Sequence, residues 1–368
     1  MSCSLDHLDI DGVRRRLIEQ AIDGSPRAYL APLDKGLSGA TVWRARWELP
    51  ASGAVSELHV FKIGATHKLQ REHDAIRSIA SVIDNKVVTP ILVSNGDLSL
   101  LRQPFSGGDP GSVDSLKDYL RRCEDAKKAV EIIQKLYRQR LRNWHYAEDR
   151  PRAMRRESLG VALDWWVSRT DLDVVVGRLG RRAIDDAIQR RHAISLDEVA
   201  KGVIEMLGVV GDYRMGPVHG DLHSQNVLVD ASEAVHLIDF GWCSERWIAI
   251  DYLMLECSLK YVVAPRLANL TDLLEMNGKI EQASVDLSDD GNWDDAILYG
   301  MDLEKVARCV MEIRSAALDH QAVVDIDQYE RGLAALTYGL LSMPAGINHP
   351  YMIHSLATAI AARTGRLT

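Results

Sequence analysis

The spacing of apolar and polar positions changes several times along the chain, and each change marks an element. Near the start, "IDGVRRRLIEQAI" spaces its apolar residues by three and four. That is the period of an amphipathic helix, which Gly24 and Pro26 terminate within residues 1–24. From Tyr29 to Phe105 short runs of period two take over. "TVWRARWEL" sets Trp43, Ala45 and Trp47 against Val42, Arg44 and Arg46, and "ELHVFKIG" is a second β-type run, with small residues from Ala51 to Ser56 turning between them. "LQREHDAIRSIASVI" returns to helical spacing, with Leu69, His73, Ile76, Ile79 and Ala80 on one face. "VVTPILVS" and "LSLLRQPF" flank Asn95-Gly96-Asp97, which predicts a hairpin.

Beyond "SGGDPGS" (106–112) the spacing is mostly helical. Helices are predicted over 114–146, 158–192 and 195–213, the last opened by a capping box of Ser195 and Glu198. More follow near 251–263, 294–319, 328–342 and 351–363, with "SDDGNWDD" (288–295) as an acidic loop. No internal repeat or low-complexity tract interrupts them. The prediction is an α+β chain of two lobes. A helical extension (1–24) and a small β-rich N-lobe (25–107) precede a large, mainly helical C-lobe (108–368), with a glycine-rich hinge at 106–111.

Composition narrows the class. A chain of 368 residues is too long for one small core, and 46% hydrophobic with 26% charged residues is ordinary for a soluble globular protein. No apolar run reaches the roughly eighteen residues of a membrane span, and the N-terminus lacks the apolar core of a signal peptide. Five scattered cysteines without a CxxC pair point to reduced thiols and a cytoplasmic location, with Cys243 read as a small buried hydrophobe. The net charge of -8 disfavours nucleic acid as a partner. Locally, however, Arg138 to Arg156 carries seven arginines against Glu148 and Asp149. That segment reads either as a solvated helix end and loop or as a docking surface for an anion, with Trp144, His145 and Tyr146 as stacking faces.

The candidate chemistry lies in "VHGDLHSQNVLV" (218–229) and, thirteen residues after its Asn226, in the Asp239 of "HLIDFGWC". One reading is a metal cluster of His219, Asp221 and His223, but it leaves Asn226 and Asp239 without a role. A second is a polar turn without chemistry. The third is phosphoryl transfer, which must hold a nucleotide, neutralise its phosphates and orient a hydroxyl. His219-Gly220-Asp221-Leu222, followed three residues later by Asn226, matches the H-R-D-L-x-x-x-N catalytic loop except for Gly220, and Asp239-Phe240-Gly241 is a complete D-F-G. In this reading Asp221 takes or orients the hydroxyl proton, while Asn226 and Asp239 are oxygen ligands for Mg²⁺. A hairpin over "VLVDASEAVHLI", turning at Asp230 to Glu233, brings them to one end. His219 and His223 are read as structural residues of the loop.

Upstream, Lys62 ends a β-run where a phosphate-binding lysine belongs, and Glu72 on the next helix can hold it by an ion pair. "KGLSGATVW" offers Gly36, Ser38, Gly39 and Thr41 as a loop whose backbone approaches phosphates, although the third glycine of G-x-G-x-x-G is missing. The backbone from Gln103 to Phe105 is placed to bond an adenine.

Together, "VHGDLHSQNVLV" and "HLIDFG" resemble the kinase-like phosphotransferases, the superfamily of aminoglycoside, choline and homoserine kinases, in which His-Gly-Asp replaces His-Arg-Asp. The resemblance covers residues 33–260. It implies a bilobal protein-kinase-like fold and transfer from ATP with Mg²⁺ to a hydroxyl; the incomplete glycine loop leaves GTP open as donor. By the same match Asp221 is the base, Asn226 and Asp239 bind the metal, and Lys62 with Glu72 anchors phosphate. "WIAIDYLMLECSLK" (247–260) resembles the helix of a bacterial branch, the ternary-complex-associated domains, read from gene context as belonging to conflict or signalling systems; Asp251 there is expected to tie that helix to the catalytic loop. A small-molecule acceptor is favoured over a protein because no Ala-Pro-Glu follows Asp239. A silent nucleotide-binding scaffold is disfavoured because Asp221, Asn226 and Asp239 are all present. For the acceptor, the acidic 288–295 loop suits a polycation and the arginine-rich segment an anion.

Overall fold

The computed structural model describes residues 3–4, 10–25, 27–32, 40–83, 90–105, 113–145, 153–168, 170–286, 303–343 and 348–365. The chain divides into two compact units. One comprises Met1–Val113 with Leu228–Cys243, the other Asp114–Val227 with Ser244–Thr368. Residues 228–243 therefore fold with the first unit, although the sequence places them deep in the second half.

In the first unit, β1 (Cys3–Ser4), β2 (Ala28–Pro32), β3 (Thr41–Trp47), β4 (His59–Ala65), β5 (Ile91–Asn95) and β6 (Leu98–Pro104) form one antiparallel sheet in the order β1-β2-β3-β4-β6-β5. Helix α1 (Gly12–Ala21), capped by the Asp11 side chain, buries Leu17 and Ile18 with Trp43, Ala45, Trp47, Phe61 and Ile63. Side chains alternate along a strand, so Lys62, between Phe61 and Ile63, points to the opposite face. There it meets α2 (Thr66–Ile83), whose Leu69, Glu72 and Ile76 are buried. Ile79 and Ala80 of the predicted face lie outside the described side chains. The hairpin of β5 and β6 turns at Gly96-Asp97.

The second unit is mainly helical, as expected, but its elements are shorter and more varied than the predicted runs. Residues 114–146 hold Leu116–Arg122, Ala126–Lys135, a widened π-type turn at Leu136–Leu141 and Arg142–His145. The 158–192 run resolves mainly into Leu159–Leu163, Leu172–Leu179 and Arg181–His192, and the capping box opens Leu196–Leu207 as predicted.

Three assignments need correction. Residues 210–213 are not helical: Val210–Val218 is the middle strand of a small antiparallel sheet between Met154–Ser158 and Ser244–Trp247. The helix Leu270–Asp286 was not predicted. Trp144 and His145, stacking faces in the docking-surface reading of 138–156, are buried, and nearby Arg138 and Arg156 pair with Glu312 and Asp212. Tyr146, Arg150 and Arg152 lie outside the described residues, as do the hinge at 106–111 and the acidic loop at 288–295.

The axis of this unit is the helix Ala249–Ser258, every residue of which is buried. Ile326–Leu340 belongs to the same packed core, and there a Cβ on Gly339 would lie 2.0 Å from the Trp166 carbonyl, so only glycine fits. Among the described residues no helix is long and apolar enough to cross a membrane.

Candidate functional site

Three of the predicted residues converge in the first unit. The Lys62 Nζ donates to Glu72 Oε2 and to Asp239 Oδ1, each at 2.8 Å. Strand β4 supplies the lysine, α2 the glutamate, and the segment after the short strand Val235–Leu237 the aspartate. Glu72 is buried and Asp239 is 37% exposed, so the cluster is closed on one side and open on the other. Burial opposes the Lys62 charge, but the carboxylates of Glu72 and Asp239 outweigh it and raise its pKa. Glu72 is raised as well, by burial first and by the Asp239 charge, against the pull of Lys62. Two carboxylates thus face one ammonium at the centre of this cluster, and the Arg71 charge next to Glu72 adds a second, weaker pull on that carboxylate.

Asp239 has φ 63° and ψ 64°, the left-handed region that side chains other than glycine disfavour. The hairpin expected ahead of it is present, Val227–Asp230 against Val235–Leu237. Its turn is held by the Asp230 carboxylate, which accepts from the backbone N–H groups of Ser232 and Ala234.

The catalytic-loop motif is in the second unit, and the buried helix Ala249–Ser258 holds it at two places. Asp251, fully buried, accepts from the N–H of His219 at 2.8 Å and of Gly220 at 2.9 Å, and His145 Nε2 donates to the same carboxylate at 2.9 Å. Seven residues on, Ser258 Oγ accepts from the Ser224 N–H and donates to the Ser224 Oγ. Within the loop, Asn226 Nδ2 donates to the Asp221 carbonyl at 2.8 Å, so these two predicted residues are joined directly. The His223 Nδ1 accepts from the Gln225 N–H, which leaves Nε2 as its protonated nitrogen, 3.8 Å from Asp221 Oδ2. Gly220 has φ 77°, which explains why glycine stands where the pattern has arginine.

The remaining candidates divide. Thr41 opens β3 opposite Ile63. Gln103 lies in β6 opposite Val60, and the Phe105 N–H already donates to the Leu58 carbonyl at 2.9 Å. Gly36, Ser38 and Gly39 lie outside the described residues. Among the described residues no group of three or more His, Cys, Asp or Glu could hold a metal, which removes the His219–Asp221–His223 cluster. Cys243 is half-buried. Sequence reasoning missed His145, Ser224 and Ser258. The available signal was Asp251 and Ser258, seven residues apart and, with Glu256, the polar positions of a helix otherwise made of apolar and aromatic residues.

A model of the phosphotransferase enzyme family matches residues 32–256, and a model of ternary complex associated domain 9 matches residues 203–338. No curated protein matches the chain. Among solved structures, a putative aminoglycoside phosphotransferase from Ralstonia eutropha is 10% identical with a TM-score of 0.49, covering 95% of this chain and 98% of that one. A spectinomycin phosphotransferase, in complex with ADP and spectinomycin, is 14% identical with a TM-score of 0.44, over 86% and 100% of the two chains. A choline kinase from Streptococcus pneumoniae is 12% identical with a TM-score of 0.37, over 83% and 100%.

Proposed function

The chain belongs to the phosphotransferase enzyme family, and from that premise we propose that it moves the γ-phosphoryl group of ATP to a hydroxyl of a small molecule. The acceptor oxygen forms the new P–O bond, the bond to the β-phosphate oxygen breaks, ADP leaves, and the hydroxyl proton passes to the Asp221 carboxylate. The observation that carries this reading is the Lys62 ammonium held at 2.8 Å by both Glu72 and Asp239. A buried lysine fixed in its charged form is what a triphosphate requires. The Asp251 grip on the backbone of His219 and Gly220 supports it, because a base must be held still to take a proton efficiently.

The residue chemistry suits Mg²⁺: Asp239 of the first unit offers hard carboxylate oxygens, and Asn226 of the second, by giving Nδ2 to the Asp221 carbonyl, would keep its Oδ1 for a cation. When bound, the ion neutralises phosphate charge that Lys62 alone cannot.

Thermal unfolding with ATP or GTP and Mg²⁺ tests the nucleotide site. A ligand at a hundred times its Kd adds about 2.7 kcal/mol, a rise in Tm of about 3–4 °C at this length. The wild type should show a Mg²⁺-dependent rise and Asp239→Asn should not. Asp221→Asn should keep that rise and lose about 10²–10⁴-fold in kcat with an accepted hydroxyl substrate. Equal losses of nucleotide binding in both variants would overturn the assigned roles. Phosphate on a purified partner protein, with none on metabolites, would replace the small-molecule acceptor by a protein.

A further inference from the structure

Arg71 precedes Glu72 in α2, and consecutive helical residues point about 100° apart, so the two leave the helix in different directions. Glu72 reaches Lys62 in the buried cluster. Arg71 stays exposed and lies over the indole of Trp242, its guanidinium carbon 4.7 Å from the ring centroid. That is inside the roughly 6 Å over which a cation and an aromatic face attract. Trp242 ends the single turn Phe240–Trp242 that follows Asp239, and the Cys243 N–H closes this turn by donating to the Phe240 carbonyl at 3.1 Å. The turn also lies against Glu72: a Cβ on Gly241 would be 3.6 Å from Asp239 Oδ1 and 3.8 Å from Glu72 Oε2.

Two adjacent pairs thus grip the same two elements. Lys62 draws Glu72 and Asp239 together from the sheet side, and Arg71 with Trp242 joins α2 to the turn from the exposed side. The second grip has a purpose. Asp239 sits in a left-handed conformation that a non-glycine residue keeps only when its surroundings over-determine it. An ammonium on a flexible stem holds the Asp239 carboxylate without fixing the backbone behind it, whereas a stacked indole three residues later fixes that backbone. The Arg71 charge also favours the ionised form of Glu72 and so supports the first grip.

We propose that Arg71 and Trp242 are positioning residues that lock α2 to the turn after Asp239, and that binding of nucleotide with Mg²⁺ depends on this contact. The second half of the statement rests on the phosphotransferase reading; the first half does not. The test is a double-mutant cycle of Arg71→Ala and Trp242→Ala, with Arg71→Lys as the conservative variant. It is read by calorimetric binding of ADP with Mg²⁺ and by amide hydrogen exchange of residues 66–83 and 239–243 in the free protein.

Each alanine variant should weaken binding about two- to fivefold, the range of one exposed cation–π contact, and should speed exchange in both segments. The double variant should be no worse than the worse single, because either change already breaks the contact. Arg71→Lys, still cationic, should retain most of the affinity. The proposal is overturned if the two losses multiply, if Arg71→Lys behaves as Arg71→Ala, or if Arg71→Ala leaves exchange unchanged. A wild type that binds no nucleotide would remove the phosphotransferase reading, and the exchange data would then decide the lock alone. If Trp242→Ala fails to fold, Trp242→Phe, which keeps an aromatic face, takes its place in the cycle.

Discussion

The first unit buries a lysine between two carboxylates; the second buries a glutamate between two cations, and the two clusters differ in how completely they are satisfied. In the second, Glu256 receives Arg314 Nη2 at 2.7 Å, Arg314 Nε at 3.1 and 3.3 Å, and the Tyr329 hydroxyl at 2.8 Å, with Lys260 Nζ 3.7 Å away. Arg314 Nη1 is taken by Ser284. No member of this set is more than 2% exposed. Burial would raise the Glu256 carboxyl, but Arg314 and then Lys260 hold it below its ordinary value. In the first cluster Glu72 Oε1 is buried without a hydrogen-bond partner among the described residues, Asp239 is exposed on one side, and its backbone is strained. A closed, fully bonded cluster serves to hold helices together. The first, open on the Asp239 side, is the one that the proposed nucleotide site would use.

The largest expected effect breaks the closed cluster. Arg314→Ala would leave Glu256 buried without its bidentate partner, a change that costs about 3–5 kcal/mol, measurable by urea unfolding. Lys62→Ala should cost less, because Asp239 can be solvated again and Glu72 can take up a proton. Equal losses would mean that the first cluster is as structural as the second. A smaller effect comes from the backbone. Gly220 and Asp239 share the left-handed conformation, one as an unstrained glycine and the other as a strained aspartate. Gly220→Ala should therefore cost about 1–2 kcal/mol and slow the reaction through the displaced Asp221. A fully stable Gly220→Ala protein would show that the loop tolerates another path between His219 and Asp221.

The contrast also marks what the sequence discloses. Lys62, Glu72 and Asp239 were legible because each sits in a short local pattern: a lysine closing a β-run, a glutamate on the following helix, a D-F-G. Asp221 and Asn226 are five residues apart in one loop. The closed cluster has no such pattern, since Glu256 and Arg314 are 58 residues apart on different helices and meet only through packing. The helix Leu270–Asp286 was hidden by Asn277 and Gly278 in its middle, which read as a break although Met276, Asn277 and Ile280 are all buried. The strand Val210–Val218 was hidden by Gly211, Gly216 and Pro217. The burial of Trp144 and His145 was not legible because an arginine-rich composition does not say which way aromatic residues pack, and the π-type turn at Leu136–Leu141 just before them breaks the 3.6-residue period.

The smallest expected effects separate the clusters by sign, in the pH dependence of two glutamine variants measured in metal-free buffer. The Glu72 carboxyl is raised above the ordinary 4.5 in the folded chain, so its contribution is present below pH 4.5 and is lost as pH rises through its folded value. The stability of Glu72→Gln relative to wild type should therefore improve with rising pH above 4.5. Glu256 is lowered, so its contribution is present above pH 4.5 and is lost as pH falls through its folded value. The deficit of Glu256→Gln should grow with pH up to about the ordinary 4.5 of an unfolded glutamate and then level off. Opposite slopes in adjoining windows follow from one carboxyl raised by burial and the other lowered by its cations. Two slopes of the same sign would show that both carboxylates are held alike, and the contrast between the clusters would fail.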